Sequence, residues 1–409
     1  MTNLGFSDLH PTTKRLLLAR GLRSLGQGLL VVDFALYLHA LNWTPVAIGL
    51  TFTSSSLFGA LLSLLVGTSS DRLRRKPFLL IYEAIVLTCG IAAVVSAQPL
   101  ILAGAAIVGG FGRGAGGAAG PFSPAEQAWL ADEVPAKLRG RVYSLNTALG
   151  FFGMSLGAVA ASLPALWTNS LPGALAFRPL FALVGLAAVV CLVLLGGAGE
   201  TYHQGAPAVN LEQRQREGCM RSQENRILMK LVLINSFNGF AIGLTGPLMS
   251  YWFALRFQVG PEAIAPVMGA TFFVTGLISL FTAKLSERIG IVSSVVWERL
   301  IGLVFLFLLP MMPHFGFAAL LYLLRSAFSR GATGAQQALI VGLVSEDRRG
   351  LATSLNAVAM QLPRSVGPSV AGYLLSLGQF GLPFYAATGL QGVYLILYRR
   401  FFRGYEPQT

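Results

Sequence analysis

Charge is what this sequence has least of. Asp, Glu, Lys and Arg make up 11% of its 409 residues, where soluble domains carry about 25%. So few charges do not cover a water-facing surface, which argues against an ordinary soluble protein. Acids are scarcer still, 17 against 30 basic residues, for a net charge of +13. That surplus does not mark a nucleic-acid binder, because the Lys and Arg gather in alternate loops between apolar runs. The three cysteines (Cys89, Cys191, Cys219) have no metal-ligand spacing and two of them lie in apolar runs, so neither a metal site nor a disulfide framework is expected. The four histidines (His10, His39, His203, His314) sit at span ends or in loops. No phosphate-cradling loop is present, which argues against ATP drive, and no nucleophile–base–acid set is visible. Neither enzyme chemistry nor a cofactor is expected.

What is present is hydrophobic length. Apolar and aromatic residues are 54% of the chain, gathered in runs near or above the roughly 20 residues a helix needs to cross a bilayer. Twelve spans are expected, over about 15–40, 46–69, 77–98, 100–131, 142–165, 178–198, 227–253, 261–284, 290–312, 315–342, 351–376 and 379–400. The runs are continuous rather than alternating, so the spans are helices and not barrel strands. One set of loops carries Arg72, Arg74, Arg75, Lys76, Lys137, Arg139, Arg141, Arg214, Arg216, Arg348, Arg349, Arg399 and Arg400, while the opposite set has almost no Lys or Arg. Both termini are therefore expected on the cytoplasmic side. The longest polar segment, 199–226, reads as a linker between an N-terminal six-helix bundle (1–198) and a C-terminal one (227–409), part of it an amphipathic surface helix. Compact loops and no targeting segment point to a prokaryotic inner (plasma) membrane.

The two bundles are copies. Gly67-Thr68-Ser69-Ser70-Asp71-Arg72-Leu73-Arg74-Arg75-Lys76 has a weaker echo in Ala283-Lys284-Leu285-Ser286-Glu287-Arg288-Ile289-Gly290, each with an acid–Arg pair four residues after a small residue. The offset is 287 − 71 = 216, and Pro45, Ala47 and Ile48 match Pro261, Ala263 and Ile264 at the same offset. Glu126-Gln127-Ala128 matches Gln336-Gln337-Ala338, Arg139-Gly140 matches Arg349-Gly350, and Ser144-Leu145-Asn146 matches Ser354-Leu355-Asn356, all at an offset of 210. Several collinear matches define an internal repeat, expected as an all-α integral membrane protein of two six-helix bundles related by a pseudo-two-fold axis.

The loop between spans two and three resembles the signature of the major facilitator superfamily, Gly-x-x-x-Asp-Arg-x-Gly-Arg-Arg/Lys. Gly67, Asp71, Arg72, Arg75 and Lys76 match it, and Arg74 stands where that signature has Gly. Span four resembles a second signature, with Arg113 followed by small residues, Pro124, Ala131-Asp132 and a loop Arg-Gly. The resemblance implies two bundles rocking around a central cavity lined most directly by spans one, four, seven and ten. It implies a monomer, and a role for Arg113 in proton movement or a salt bridge. The glycine–proline pattern of drug antiporters in span five is absent, where Gly150, Gly153 and Gly157 read as helix packing.

An ionisable residue inside a span costs at least about 2.5–3.5 kcal/mol, so each needs an account. Asp33, in the outer half of span one, reads as a protonatable carboxylate facing the cavity, with Gly26, Leu30 and Tyr37 on its face and Tyr37 a substrate contact. The bland alternative is a structural bond between helices. Arg20 reads as snorkelling, and Arg23 and Gln27 as lining an inner vestibule. Arg113 carries either proton movement or a fixed interhelical hydrogen bond. Glu126 is either a second carboxylate of the path or the partner of the basic loop. Arg325, Arg330 and Arg364 are the charges of the second half, and Arg364, between Pro363 and Pro368, is a candidate anion ligand or counter-ion to Asp33. Glu83, Glu298 and Arg299, early in spans three and nine, read as a structural network. Gly67, Asp71, Arg72, Arg75, Lys76, Asp132, Glu287 and Arg288 read as a gate latch between states.

These readings converge on a secondary transporter of a small organic molecule, coupled to protons and exchanging them for its cargo outward. An organic-anion carrier or symporter using the arginines is the alternative, and a non-transporting receptor a distant third. The partners expected are the substrate, protons and the lipid bilayer.

Overall fold

The computed structural model describes residues 9–70, 74–113, 120–134, 136–200, 217–289, 291–331, 336 and 349–402; within these, side chains at 67–70, 131, 136–141, 217–223, 279–289, 291, 331 and 349–354 are left undescribed. Apolar runs punctuated by Pro and Gly give helices throughout. The N-terminal half holds α1 (Pro11–Ala40), α2 (Pro45–Ser70), α3 (Arg75–Val95), α4 (Pro99–Gly109), α5 (Ser123–Glu133), α6 (Ala136–Ala160), the single turn α7 (Pro164–Trp167) and α8 (Arg178–Gly196). The C-terminal half holds α9 (Glu217–Thr245), α10 (Met249–Phe257), α11 (Pro261–Ile289), α12 (Ile291–Leu308), α13 (Phe315–Gly331), α14 (Arg349–Ser376) and α15 (Leu382–Phe402). Pro at the first turn starts α1 and α4, where its missing N–H has no helical partner to lose. Among the described residues, seven helices are long and apolar enough to cross a membrane by length and composition. α1 is less apolar because it carries Lys14, Arg15, Arg20, Arg23 and Asp33.

Two of the expected spans are each broken into two helices. Span four, expected as one run, stops at Gly109. Gly110 and Gly112 have φ of +77° and +75°, a region glycine enters without a Cβ clash, and the next helix among the described residues begins at Ser123. Span seven breaks between Thr245 and Met249, beside Pro247. Its first piece begins at Glu217, ten residues before the expected 227, so the span reaches back into the expected linker. α14 runs through Pro363 and Pro368 as one helix.

The outward-turned faces are apolar, with Val95 74%, Leu100 82% and Ile396 69% exposed, as lipid contact requires. The N-terminal core centres on Phe34, whose ring meets Phe52, Phe111 and Phe181 at 5.8, 5.4 and 6.4 Å. In the C-terminal core Trp252 packs on Phe384 at 4.5 Å and donates its indole N–H to the Phe380 carbonyl at 2.8 Å. α1 packs along α6 and α9 along α14, the same pairing of first and fifth spans in both halves.

The halves meet at the end of the molecule opposite the basic loops. α2 lies against α14 so closely that a Cβ on Gly49 would strike the Pro368 carbonyl, and one on Gly372 the Pro45 carbonyl. Thr53 accepts from the Ser369 N–H at 3.0 Å. Beside them Ser155 of α6 donates to the Gly269 carbonyl of α11 at 2.8 Å, and Ser250 of α10 to the Val31 carbonyl of α1 at 3.2 Å. Replacing Gly372 by Val is expected to wedge this end open and to lower stability by about 1–3 kcal/mol, the usual cost of overpacking. A thiol-accessibility assay on cysteines placed at this end should show increased labelling, and a melting curve the lower midpoint.

Candidate transport site

Between the halves lies a cavity of about 50 Å³. Ser56 and Ser63 of α2 and Arg113 line it from one side, and Pro247, Gln361 and Arg364 from the other. Its walls thus come from spans two, four, seven and eleven, whereas spans one, four, seven and ten were expected. The close approach of α2 and α14 places both beside the cavity. Ligand pockets usually measure roughly 300–1,000 Å³, so this space must widen to hold an organic molecule. Among the described residues that line it there is no carboxylate.

Arg113 folds back on the broken end of α4. Its Nη2 donates to the carbonyls of Ile107 and Val108 at 2.9 and 3.1 Å, filling acceptors the helix end leaves open. Its Nε and Nη1 are buried without a hydrogen-bond partner among the described residues. Arg364 faces the cavity from α14, close enough to Arg330 for the two like charges to repel. Arg330 lies over the Phe272 ring at 5.3 Å, a cation–π contact. Arg325 is 9% exposed and donates to Thr245 Oγ1 at 3.3 Å.

Arg23, Gln27 and Tyr37 do not line this cavity. Arg23 Nε donates to Glu83 Oε1 at 2.6 Å, and its Nη1 pairs with Glu126 Oε2. All three residues are buried, and the Tyr82 ring stands 5.5 Å from the guanidinium. Arg20 lies beside this cluster, near Glu126, with Nε and Nη1 unpartnered among the described residues. Glu83, expected in a structural network on an outer helix, is therefore one partner of an ionic triad with Arg23 and Glu126. Gln27 and Arg23 instead border a second, smaller cavity inside the N-terminal half, with Tyr82 and Glu83. Tyr37 is buried against Phe177 and Phe181, at 5.9 and 5.1 Å. Asp33 is 2% exposed, and neither carboxylate oxygen has a hydrogen-bond partner among the described residues.

The C-terminal half holds the counterpart of the triad without its acids. Arg299 donates to Asn238 at 3.1 Å and to Gln336 at 2.5 Å, Gln336 to Asn235 at 3.1 Å, and Asn235 to Asn356 at 2.6 Å. The Tyr394 ring stands 5.0 Å from the Arg299 guanidinium, as Tyr82 stands near Arg23. By the repeat offsets, Gln336 takes the place of Glu126 (336 − 126 = 210) and Arg299 that of Glu83 (299 − 83 = 216).

At the basic end, Arg75 pairs with Asp132 at the end of α5. Lys76 Nζ donates to the carbonyls of Gly196 and Ala198 at 2.7 and 2.8 Å, closing the C-terminus of α8. Glu200 accepts from the backbone N–H groups of Arg75 and Lys76 at 2.6 and 3.3 Å, an anion at the positive end of α3. Asp71 and Arg72 lie outside the described residues. Gly67, Glu287 and Arg288 fall in the last turns of α2 and α11, where side chains are not described. Glu200, Ser56, Ser63 and Gln361 escaped the sequence reading. Only the position of Glu200 just past a span gave a signal, because a Ser or Gln in a span looks alike wherever it faces.

Two matched helical bundles, joined at one end over a cavity that carries cations, define a membrane transporter of the rocking two-bundle class. The sequence profile of the Major Facilitator Superfamily matches residues 16–216 and 231–409, and the chain belongs to that superfamily. It is a multi-pass membrane transporter and not an enzyme. It is 23% identical over 388 residues to an uncharacterized membrane protein of Saccharomyces cerevisiae, covering 86% of this chain and 85% of that one. Its fold is similar to that of a D-xylose–proton symporter, with a TM-score of 0.73, 15% identity, and coverage of 95% and 97% of the two chains. It is likewise similar to a bacterial homolog of the human lysosomal transporter Spinster, in an inward-facing and unoccupied conformation, with a TM-score of 0.71, 16% identity and 100% coverage of both.

The triad and the surface pair differ in what their loss costs. Arg23→Gln leaves two buried carboxylates without their cation and is expected to destabilise by about 3–5 kcal/mol. Arg75→Gln breaks a partly exposed pair and is expected to cost about 1 kcal/mol or less. Thermal unfolding of the purified protein in detergent measures both, and a small shift for Arg23→Gln would contradict the structure.

Proposed function

We propose that the chain is a proton-coupled secondary transporter working by alternating access, and that it moves a small organic molecule outward in exchange for protons. The observation that carries this reading is Asp33. Its carboxylate is buried in a membrane span with no partner among the described residues, and an isolated acid there binds and releases a proton at little structural cost. The structure is closed at the end opposite the basic loops. Assigning those loops to the cytoplasm makes this an inward-facing state in a plasma membrane, with both termini inside. Arg75 and Asp132, both of the N-terminal half, then lie at the inner end.

The test is proton movement in proteoliposomes carrying a pH-sensitive dye, screened with metabolites and drugs. In Asp33→Asn the substrate-evoked pH change should vanish while binding persists. Equal pH changes in both proteins would remove Asp33 as the carrier.

A second reading has one observation in its favour. Arg113 and Arg364 face the same cavity from opposite halves and no carboxylate lines it among the described residues, so the field there suits an organic anion. Losing a charge-assisted hydrogen bond of about 1.5–3 kcal/mol weakens binding about tenfold or more. Arg364→Gln is expected to weaken anion binding by that factor in a calorimetric titration. Unchanged affinity would remove the anion reading.

A further inference from the structure

The second cavity lies wholly inside the N-terminal half and holds about 30 Å³, room for two or three waters at roughly 10–15 Å³ each. One end is polar. Arg23, Gln27, Tyr82 and Glu83 line it, and Gln27 Oε1 is buried without a partner among the described residues. The other end is closed by Leu30 and Phe111. Asp33 stands beyond that wall. It lies seven residues from Gly26 on the same line of α1, and Gly26 borders the cavity, so about 10.5 Å of helix separates the two. An orphaned acid thus stands beyond the apolar wall of a small cavity, and an ion-paired acid lines its polar end, with an aromatic ring in the wall.

That ring sits on a swivel. Phe111 is flanked by Gly110 and Gly112, both at positive φ, in the break of span four. The next residue is Arg113, which lines the cavity between the halves, and Gly112 borders both cavities. A movement of this four-residue segment that reorients Arg113 toward cargo also displaces Phe111.

We propose that the N-terminal half contains a proton route separate from the substrate cavity, running from Asp33 past Phe111 to Glu83, with Phe111 as its gate and the Gly110–Arg113 segment linking that gate to cargo. The proposal rests on proton coupling through Asp33. In the step, protonated Asp33 gives its proton to water in the cavity and becomes a carboxylate, and the carboxylate of Glu83 takes up a proton in turn. Glu83 then releases it toward the basic end. The groups facing Glu83 are Arg23 from α1, Glu126 from α5, Cys191 from α8 and Tyr82 beside it, with Arg20 of α1 near Glu126 and Arg23. Glu126 keeps Arg23 paired while Glu83 is protonated. The repeat points the same way. The C-terminal counterpart of the triad has Gln336 and Arg299 at the positions matched to Glu126 and Glu83, so those two positions are acidic in one half only.

The test needs no cargo. Reconstituted vesicles are given a pH gradient, and an enclosed dye reports how fast it decays. Wild type should hold the gradient, and Phe111→Ala should dissipate it several-fold faster. Adding Glu83→Gln or Asp33→Asn to Phe111→Ala should return the decay to the wild-type rate. Adding Gly26→Ala should slow it, because the new methyl fills cavity space and meets Val184 at an ordinary 3.5 Å, so folding is kept. Melting curves confirm that each variant is folded. No leak in Phe111→Ala, or a leak that Glu83→Gln and Gly26→Ala both leave unchanged, overturns the route. A leak stopped by Asp33→Asn but not by Glu83→Gln spares Asp33 and removes Glu83. A leak indifferent to Asp33→Asn removes the proton-coupling reading itself.

Discussion

Inside a bilayer no water stands ready for a charge, so the protein must answer each one itself. Arg23 is answered twice, by Glu83 and Glu126, and this triad ties α1, α3 and α5 into one body. Because the ties are ionic and buried, these helices move together or not at all. A rocking mechanism needs such rigidity, since a bundle that deforms cannot expose and bury a cavity by tilting. The Arg299 network does the same work in the other half with amides, binding α9, α12 and α14.

That difference separates the halves chemically although they share a fold. The N-terminal half keeps the unpaired carboxylate and the acids of the triad. The C-terminal half brings Arg325, Arg330 and Arg364 together, with the charge of Arg330 acting on both of the others. Duplication supplies two copies of one scaffold, and substitution at matched positions has left the acids of the triad in one copy and an amide and Arg299 in the other.

Much of the architecture was legible in the chain. Apolar runs longer than a bilayer is thick have one stable form, and the offsets of 216 and 210 exposed the repeat. The break in span four was not legible as a break, because Gly, Ala and Pro also suit tightly packed helices, and only φ distinguishes the two uses. Charged positions were easy to find, since each stands alone in apolar surroundings. What each one meets was harder. Arg23 and Glu83 are 60 residues apart, and which face of α3 turns toward α1 depends on packing that no local pattern records. Asp33 and Tyr37 share a helix face as spacing required, yet that face looks into a bundle core, with Tyr37 against Phe177 and Phe181.

The seam at Gly49 and Gly372 has a bearing on how the transporter senses its surroundings. Residues 45–66 and 365–376 contain no Asp, Glu, Lys, Arg or His. Ionic strength has nothing there to screen, and membrane voltage has no charge to pull. The ease with which this end parts is set instead by dispersion between close backbones and by the neutral hydrogen bonds of Thr53, Ser155 and Ser250, and so by temperature and the lateral pressure of the lipid. Voltage finds its lever only in the ionisable groups deeper in the bundles, so the electrical and mechanical inputs to the cycle act at different places.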